Sequence, residues 1–330
     1  MIYKKLAQSF VIGFAALNLA MPATSHAADS KWPDRPVTLV VGYAAGGTTD
    51  IIARIVAKTL TGVTGQTFVV ENKTGANSNI AAENVKRARA DGYTYFVGST
   101  ANAINLSLYK DLNYDIYKDF EPVALLGTVP NLLVVNPQLP VKNVQEYIDY
   151  AKKNPKKLSC ASSGIGSAIH MSCELFKLQT DTQILHVPFR GSSLADAAVI
   201  GNQVDSIFDN LPSVLSQVKA GNMRALGVTT LKRSHSAPDI PTLDEAGLKG
   251  FSVQSWFGLF APKDTDAKIV QKLNLLLNEA FANQEVSDRY STAGVEKPTD
   301  QNSPGDFQGL VKNEVSRWAI VVKEADLALQ

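Results

Sequence analysis

Four short loops at or beside glycines carry serine, threonine or asparagine, and one adds Arg190, residue types that can bind an anion largely through backbone N–H groups and hydroxyls. The first, Gly42-Tyr43-Ala44-Ala45-Gly46-Gly47-Thr48-Thr49-Asp50, follows an apolar run at 37–41. After it, Ile51, Ile52, Ile55, Val56 and Leu60 recur at helical spacing. Glycine lets backbone approach a ligand closely. A helix starting near Thr48 offers free N–H groups and the positive end of a dipole, and Thr48 and Thr49 add hydroxyls. A carboxylate or phosphate suits that arrangement. Ser163-Gly164-Ile165-Gly166-Ser167 has the same make-up, and Ser99-Thr100-Ala101-Asn102 and Arg190-Gly191-Ser192-Ser193 repeat it. One such loop is an ordinary capped turn; four together predict an anion site. His170, one turn into the helix after Ser167, either packs that helix, orients its loop or touches the anion. Arg190 either meets a ligand carboxylate or pairs with Asp209 or Asp196. Asp209 ends an apolar strand and either accepts from a ligand amine or holds Arg190.

Other chemistries lack their residues. Gly42 and Gly47 fit half a P-loop, but Thr48 stands where its lysine is required. No loop completes Gly-x-Gly-x-x-Gly, so a dinucleotide cofactor is not expected. Gly-x-Ser-x-Gly is absent. Cys160 and His170 as thiol and base are disfavoured, because Cys160 sits in an apolar strand with no cation beside it. No Cys-x-x-Cys or paired histidine spacing supports a metal. The expectation is a binding protein without cofactor or metal, and not an enzyme. Of the 330 residues, 32 are Lys or Arg and 31 Asp or Glu. That balance, with no basic run, argues against nucleic acid. The 45% hydrophobic content argues against disorder.

The loops need elements to hold them. Apolar runs at 37–41, 67–70 and 93–97 alternate with helical segments, which predicts βαβ units and parallel sheet. Two apolar runs at 122–126 and 132–135 read as strands crossing to a second βα series. Its strands are expected at 158–162, 184–189, 204–208 and 224–229. Residues 252–261 read as a long strand returning to the first unit, followed by helices at 266–282 and 307–329. The expected organisation is a first domain from 28–129 completed by 253–330, with 130–252 as the second. Ligands in such sheets bind at the carboxyl ends of the strands. Cys160 and Cys173 either form a disulfide or act as two small buried hydrophobes, and the second is the expectation. A helix lies about 10 Å from its sheet, whereas a disulfide needs Cα atoms within about 6.8 Å.

Residues 1–27 read as a secretory leader: Lys4 and Lys5, an apolar stretch at 10–21, then Ser25-His26-Ala27 before a cut at Ala28. Twelve residues fall short of the ~20 that a bilayer requires. Cleavage would remove two lysines and no acid, taking the formal charge from +1 to −1. An exported, periplasmic protein is expected.

The ordered blocks resemble the Bug family of periplasmic solute-binding receptors. They include Trp32-Pro33, Gly46-Gly47-x-x-Asp50-x-x-Ala53-Arg54, Val70-Glu71-Asn72-Lys73-x-Gly75-Ala76 and Asp91-Gly92-Tyr93. Further on come Gly164-x-Gly166-Ser167-x-x-His170, His186-Val187-Pro188-Phe189-Arg190-Gly191 and Trp256-Phe257-Gly258-Leu259. The resemblance runs from about residue 32 to the end. It implies a two-domain, type II periplasmic-binding α/β fold, hinged on crossing strands, that closes on a small carboxylate. It also implies delivery to the membrane components of a tripartite tricarboxylate transporter, with the receptor working as a monomer. The family's pinching loops correspond here to Tyr43, Ala44, Gly46, Thr48 and Thr49, and to Ser163, Gly164, Gly166 and Ser167 with His170. Ser99, Thr100, Asn102, Arg190, Gly191 and Asp209 would complete the pocket. Two departures bear on the ligand. Ala45 replaces a common proline, and Gly75-Ala76-Asn77-Ser78 replaces a Gly-Ala-Gly-Gly block, which narrows or polarises the cleft edge. A sensory receptor, a secreted enzyme and a receptor for an uncharged solute are the alternatives.

Overall fold

In the computed structural model residues 32–298 and 302–327 are described; the expected leader lies outside them. β1 (Val37–Val41) is followed by α1 (Thr48–Thr64), then β2 (Phe68–Asn72), α2 (Asn79–Lys86), β3 (Thr94–Ser99) and α3 (Thr100–Leu108). β1 lies between β2 and β3, all parallel. α1 stops at Gly65, whose φ of +69° turns its N–H back to the Thr61 carbonyl, a left-handed cap that glycine adopts without steric cost.

β4 (Phe120–Val135) is one strand of 16 residues, where two apolar runs predicted two strands. Phe120 to Pro130 pairs antiparallel with β9 (Gln254–Pro262). From Asn131 onward it pairs with β7 (Ser206–Asn210) and β8 (Arg224–Val228). The polar break that splits the sequence pattern is satisfied inside the fold. The buried Asn131 amide donates to Ser172 Oγ at 2.8 Å and accepts from Ser255 Oγ at 3.1 Å.

The second series is α4 (Val144–Lys153), β5 (Ser159–Ser162), α5 (Ala168–Thr180), β6 (Leu185–Pro188), α6 (Ser192–Ile200), β7, α7 (Leu211–Lys219) and β8. β5 lies parallel between β6 and β7. After β9 come α8 (Ala267–Ala282), α9 (Gln284–Thr292) and α10 (Pro304–Glu324). The sheet order is β2-β1-β3-β9-β4-β7-β5-β6, with β8 also on β4.

Alternation along the strands feeds a core on each face. Leu39, Val97 and Leu259 join α1 and α8, while Val40, Phe96 and Phe260 meet Phe307 of α10. In the other half Cys160 and Phe208 pack with Phe176, while Ala161 and Ile207 pack with Val199. α10 serves both halves: Phe307 and Val311 join the Phe96 cluster, and Trp318 and Val322 join the Phe176 cluster. Cys160 and Cys173 are both free thiols, buried in that second core.

Candidate ligand-binding site

The carboxyl ends of β3 and β7, the β1–α1 loop and the β5–α5 loop converge on a cavity of about 40 Å³. Five helices begin on its wall: α1 at Thr48, α3 at Thr100, α5 at Ala168, α6 at Ser192 and α7 just after Asn210. Helix starts present unpaired N–H groups and positive partial charge. α1 and α6 follow Gly47 and Gly191, which carry no capping side chain. Hydroxyls of Thr48, Thr49, Ser99, Thr100, Ser163, Ser167, Ser192 and Ser255 fill the rest of the polar wall; Lys, Arg and His do not line it. Three of these hydroxyls already donate inside the protein, Ser167 to the Gly164 carbonyl, Ser192 to Asp209 and Ser255 to Asn131; the helix dipoles and the remaining hydroxyls face any occupant, with no formal charge among the described residues of the wall.

Of the residues singled out in sequence, Tyr43, Ala44, Thr48, Thr49, Ser99, Thr100, Ser163 and Ser167 line this cavity. The others lie around it. Gly46, at φ +84°, donates its N–H to Asp50 Oδ2 at 3.0 Å. Asp50 also accepts from Arg54 and from Asn72. Burial would raise its pKa, but these hydrogen bonds outweigh that and hold it below the usual range. Asn102 accepts from the Ser99 N–H at 2.9 Å and donates to the Tyr114 hydroxyl at 2.9 Å, so it places Ser99. Gly164 and Arg190 line a neighbouring cavity. Gly191, at φ +139°, starts α6.

His170 acts through the loop. Its Nδ1 accepts from the Gly166 N–H at 3.1 Å, which leaves Nε2 to donate to Glu174 Oε1 at 3.2 Å. Both ring nitrogens are occupied, so neither serves Cys160 as a base. Burial opposes ionisation of Glu174, yet His170 and Lys177 win and keep its pKa low. His186 stacks on His170 at 3.8 Å between centroids, and burial pushes its pKa down to about 3, so it stays neutral.

The pairings considered for Arg190 and Asp209 do not form among the described residues. Arg190 is exposed, whereas Asp209 is fully buried and accepts from Ser192 Oγ at 2.8 Å and from the Asn210 N–H at 2.7 Å. Asp209 thus stands behind the wall and orients Ser192. Its neighbour is Asp196, and Asp196 Oδ1 and Asp209 Oδ2 both lack partners. Burial raises both carboxyls; at Asp196 the Asp209 charge adds to the rise, whereas at Asp209 hydrogen bonds from Ser192, the Asn210 N–H and Asp196 hold it back, so Asp196 rises the more strongly. A raised carboxyl pKa contributes stability below its unfolded value, lost as pH rises through the folded value. Thermal unfolding is therefore expected to show this pair costing stability as pH rises from 5 to 8. Asp196→Asn should flatten that slope and raise Tm at pH 8 by roughly 3 °C; an unchanged slope would refute the pairing.

Ser192, in the Arg190–Ser192 loop expected to complete the pocket, lies on the wall; sequence reasoning missed Asn210, Ser255 and Phe257 there. Ser192 and Asn210 sit in loops already of interest. Ser255 and Phe257 come from β9, read in sequence as a returning strand with no polar loop to mark its residues as part of a site.

A model of the "Tripartite tricarboxylate transporter family receptor" matches residues 52–327. The chain belongs to that receptor family. The receptor is 35% identical to Protein BugT of Bordetella pertussis, over 97% of its own length and 98% of BugT. It superposes on an R. palustris protein solved with adipate at a TM-score of 0.87, with 39% identity, 90% of this chain and 99% of the other. The periplasmic binding protein BugD gives a TM-score of 0.87 and 37% identity, covering 91% of this chain and all of BugD. The receptor's mixed α/β fold is therefore that of periplasmic binding proteins of this type.

Proposed function

We propose that this receptor captures a small carboxylate in the periplasm and delivers it to the membrane components of a tripartite tricarboxylate transporter. One observation carries the reading: five helix starts and the hydroxyls of Thr48, Thr49, Ser99, Thr100 and Ser163 surround a cavity with no cation among the described residues of its wall. Such a wall suits a single carboxylate held by short-range hydrogen bonds. The adipate in the R. palustris neighbour supports the ligand class, and BugD supports the compartment. The leader at 1–27 would direct export. Closure would bring 28–129 with 253–330 against 130–252 about β4 and β9. Thr48 Oγ1 and Ser213 Oγ, 2.9 Å apart, join the two sides beside the cavity. No helix among the described residues is long and apolar enough to cross a membrane.

A thermal-shift screen of carboxylates followed by calorimetry tests this directly. Ser167→Ala is expected to weaken the best acid roughly tenfold, because Ser167 Oγ donates to the Gly164 carbonyl at 2.8 Å and caps α5 by accepting from the His170 N–H at 3.1 Å, so its loss loosens the loop on the cavity wall. Binding of an uncharged solute with no response to any acid would end the proposal.

A further inference from the structure

Across the crossing strands from the ligand cavity lies a groove of about 660 Å³. β9 separates the two. Ser255 and Phe257 line the cavity, whereas Gln254 lines the groove, and successive side chains on a strand point to opposite faces. The floor of the groove is tied to both crossing strands. Gln254 Nε2 donates to Thr128 Oγ1 at 2.9 Å and to Glu296 Oε2 at 3.3 Å. The Thr128 N–H donates to the Glu296 carbonyl at 2.9 Å, and the Glu296 N–H donates back to the Thr128 carbonyl at 2.8 Å.

One wall of the groove belongs to each half of the sheet. The segment 230–236 follows β8 and leads to Ala237, which joins the Ile207 and Val214 core of the second half. Facing it, residues 287–297 are anchored by Val286, Tyr290 and Val295 in the Leu39 core of the first half. The walls touch where Ser236 Oγ donates to the Ser291 carbonyl at 2.9 Å.

The same two halves build the ligand cavity, on the other side of β9. That side is nearly shut: the cavity holds about 40 Å³, and Thr48 Oγ1 meets Ser213 Oγ beside it. The groove, at about 660 Å³, is wide. Each half has its own core and turns as a unit about a hinge. A turn about β4 and β9 that parts the halves at the cavity must bring them together at the groove. Cleft opening and groove volume therefore trade against each other.

We propose that this groove is a control site behind the hinge: a group that fills it holds the cleft shut and raises ligand affinity. This rests on the closure reading above and adds a second site that sets its balance. Linkage makes the effect reciprocal, so ligand capture also favours whatever fills the groove. A ligand's apparent affinity is reduced by the fraction of receptor not in the competent form. Shifting the ligand-free population toward the shut form therefore reads as tighter binding.

Calorimetry with the best acid from the screen, on variants that fill the groove from two sides, tests this. Ser291→Trp fills it from α9 and Ser252→Phe from the segment entering β9; both residues line it. Each is expected to tighten binding about threefold or more. Thr292→Trp, exposed beside Ser291 but off the wall, is expected to leave affinity unchanged. Spin labels at Ile80→Cys and Leu194→Cys, exposed positions with one on each half, report the cleft directly. Cys160 and Cys173 are buried and stay unlabelled. The label distance should shorten in both ligand-free groove variants, as it does when acid is added to wild type. If wild type closes on the acid while neither groove variant binds more tightly, the control site is overturned. An equal gain in Thr292→Trp overturns it too. A label distance that the acid leaves unchanged in wild type removes the closure reading and the inference with it.

Discussion

Gly166→Ala is expected to weaken carboxylate binding about 100-fold, a loss of about 2.7 kcal/mol, and to lower the stability of the ligand-free protein by about 1–2 kcal/mol. Gly166 has φ +80°, and an alanine methyl there would stand 2.2 Å from Leu108 Cδ2 and 3.0 Å from Asn77 Nδ2. Leu108 is fully buried and cannot swing aside. Asn77 and Asn105 hold each other in place. The loop must retreat, which draws the Gly166 N–H from His170 Nδ1 and carries Ser163 and Ser167 away from the cavity. A polar wall displaced by even 1 Å loses the geometry on which hydrogen bonds depend. Calorimetry against the best acid from the screen checks this; an affinity within threefold of wild type would show that the loop's position does not matter.

Trp318→Ala is expected to destabilise the protein by about 4 kcal/mol, the usual cost of truncating a large core aromatic. Trp318 is fully buried on α10 among the cluster that holds Tyr147, Phe176 and Phe208. Its indole N–H donates to Glu314 Oε2 at 2.9 Å, so truncation also frees a partly buried carboxylate. The same helix packs Phe307 and Val311 into the opposite half. Loosening its second half should therefore weaken both halves of the sheet and broaden the unfolding transition. Urea titration followed by fluorescence and by far-ultraviolet dichroism reads both effects; a loss under 1 kcal/mol would show that α10 is not a strap across the two cores.

Periodicity made most of the fold legible, because burial on one or both faces leaves a local mark in the chain. The run at 37–41 and the helical spacing from Ile51 to Leu60 predicted β1 and α1 within a few residues. Two kinds of element escaped. α9 has only Val286 and Tyr290 buried, too thin a stripe to read. β4 is continuous through a polar break whose partners, Ser172 and Ser255, lie far along the chain. The four loops were legible as a site for a similar reason: glycine and hydroxyl residues at strand ends are local features. His170, Asp209 and Arg190 were not resolvable, since each was chemically able to touch a ligand and side-chain direction alone decides that: His170 turns back to Gly166 and Glu174 on its own loop and helix, Asp209 to Ser192, and Arg190 to solvent.

The sequence alone determined the βα order, the place of the glycine and hydroxyl loops at strand ends, the near-neutral charge and the absence of a cationic field. Local spacing and composition carry that information. Tertiary structure decided which loop residues face the cavity, that β9 adds Ser255 and Phe257, and that Asp209 stands behind the wall while Arg190 lines the neighbouring cavity. Those outcomes depend on contacts between residues tens to hundreds of positions apart, and side-chain direction in such contacts leaves no local pattern to read.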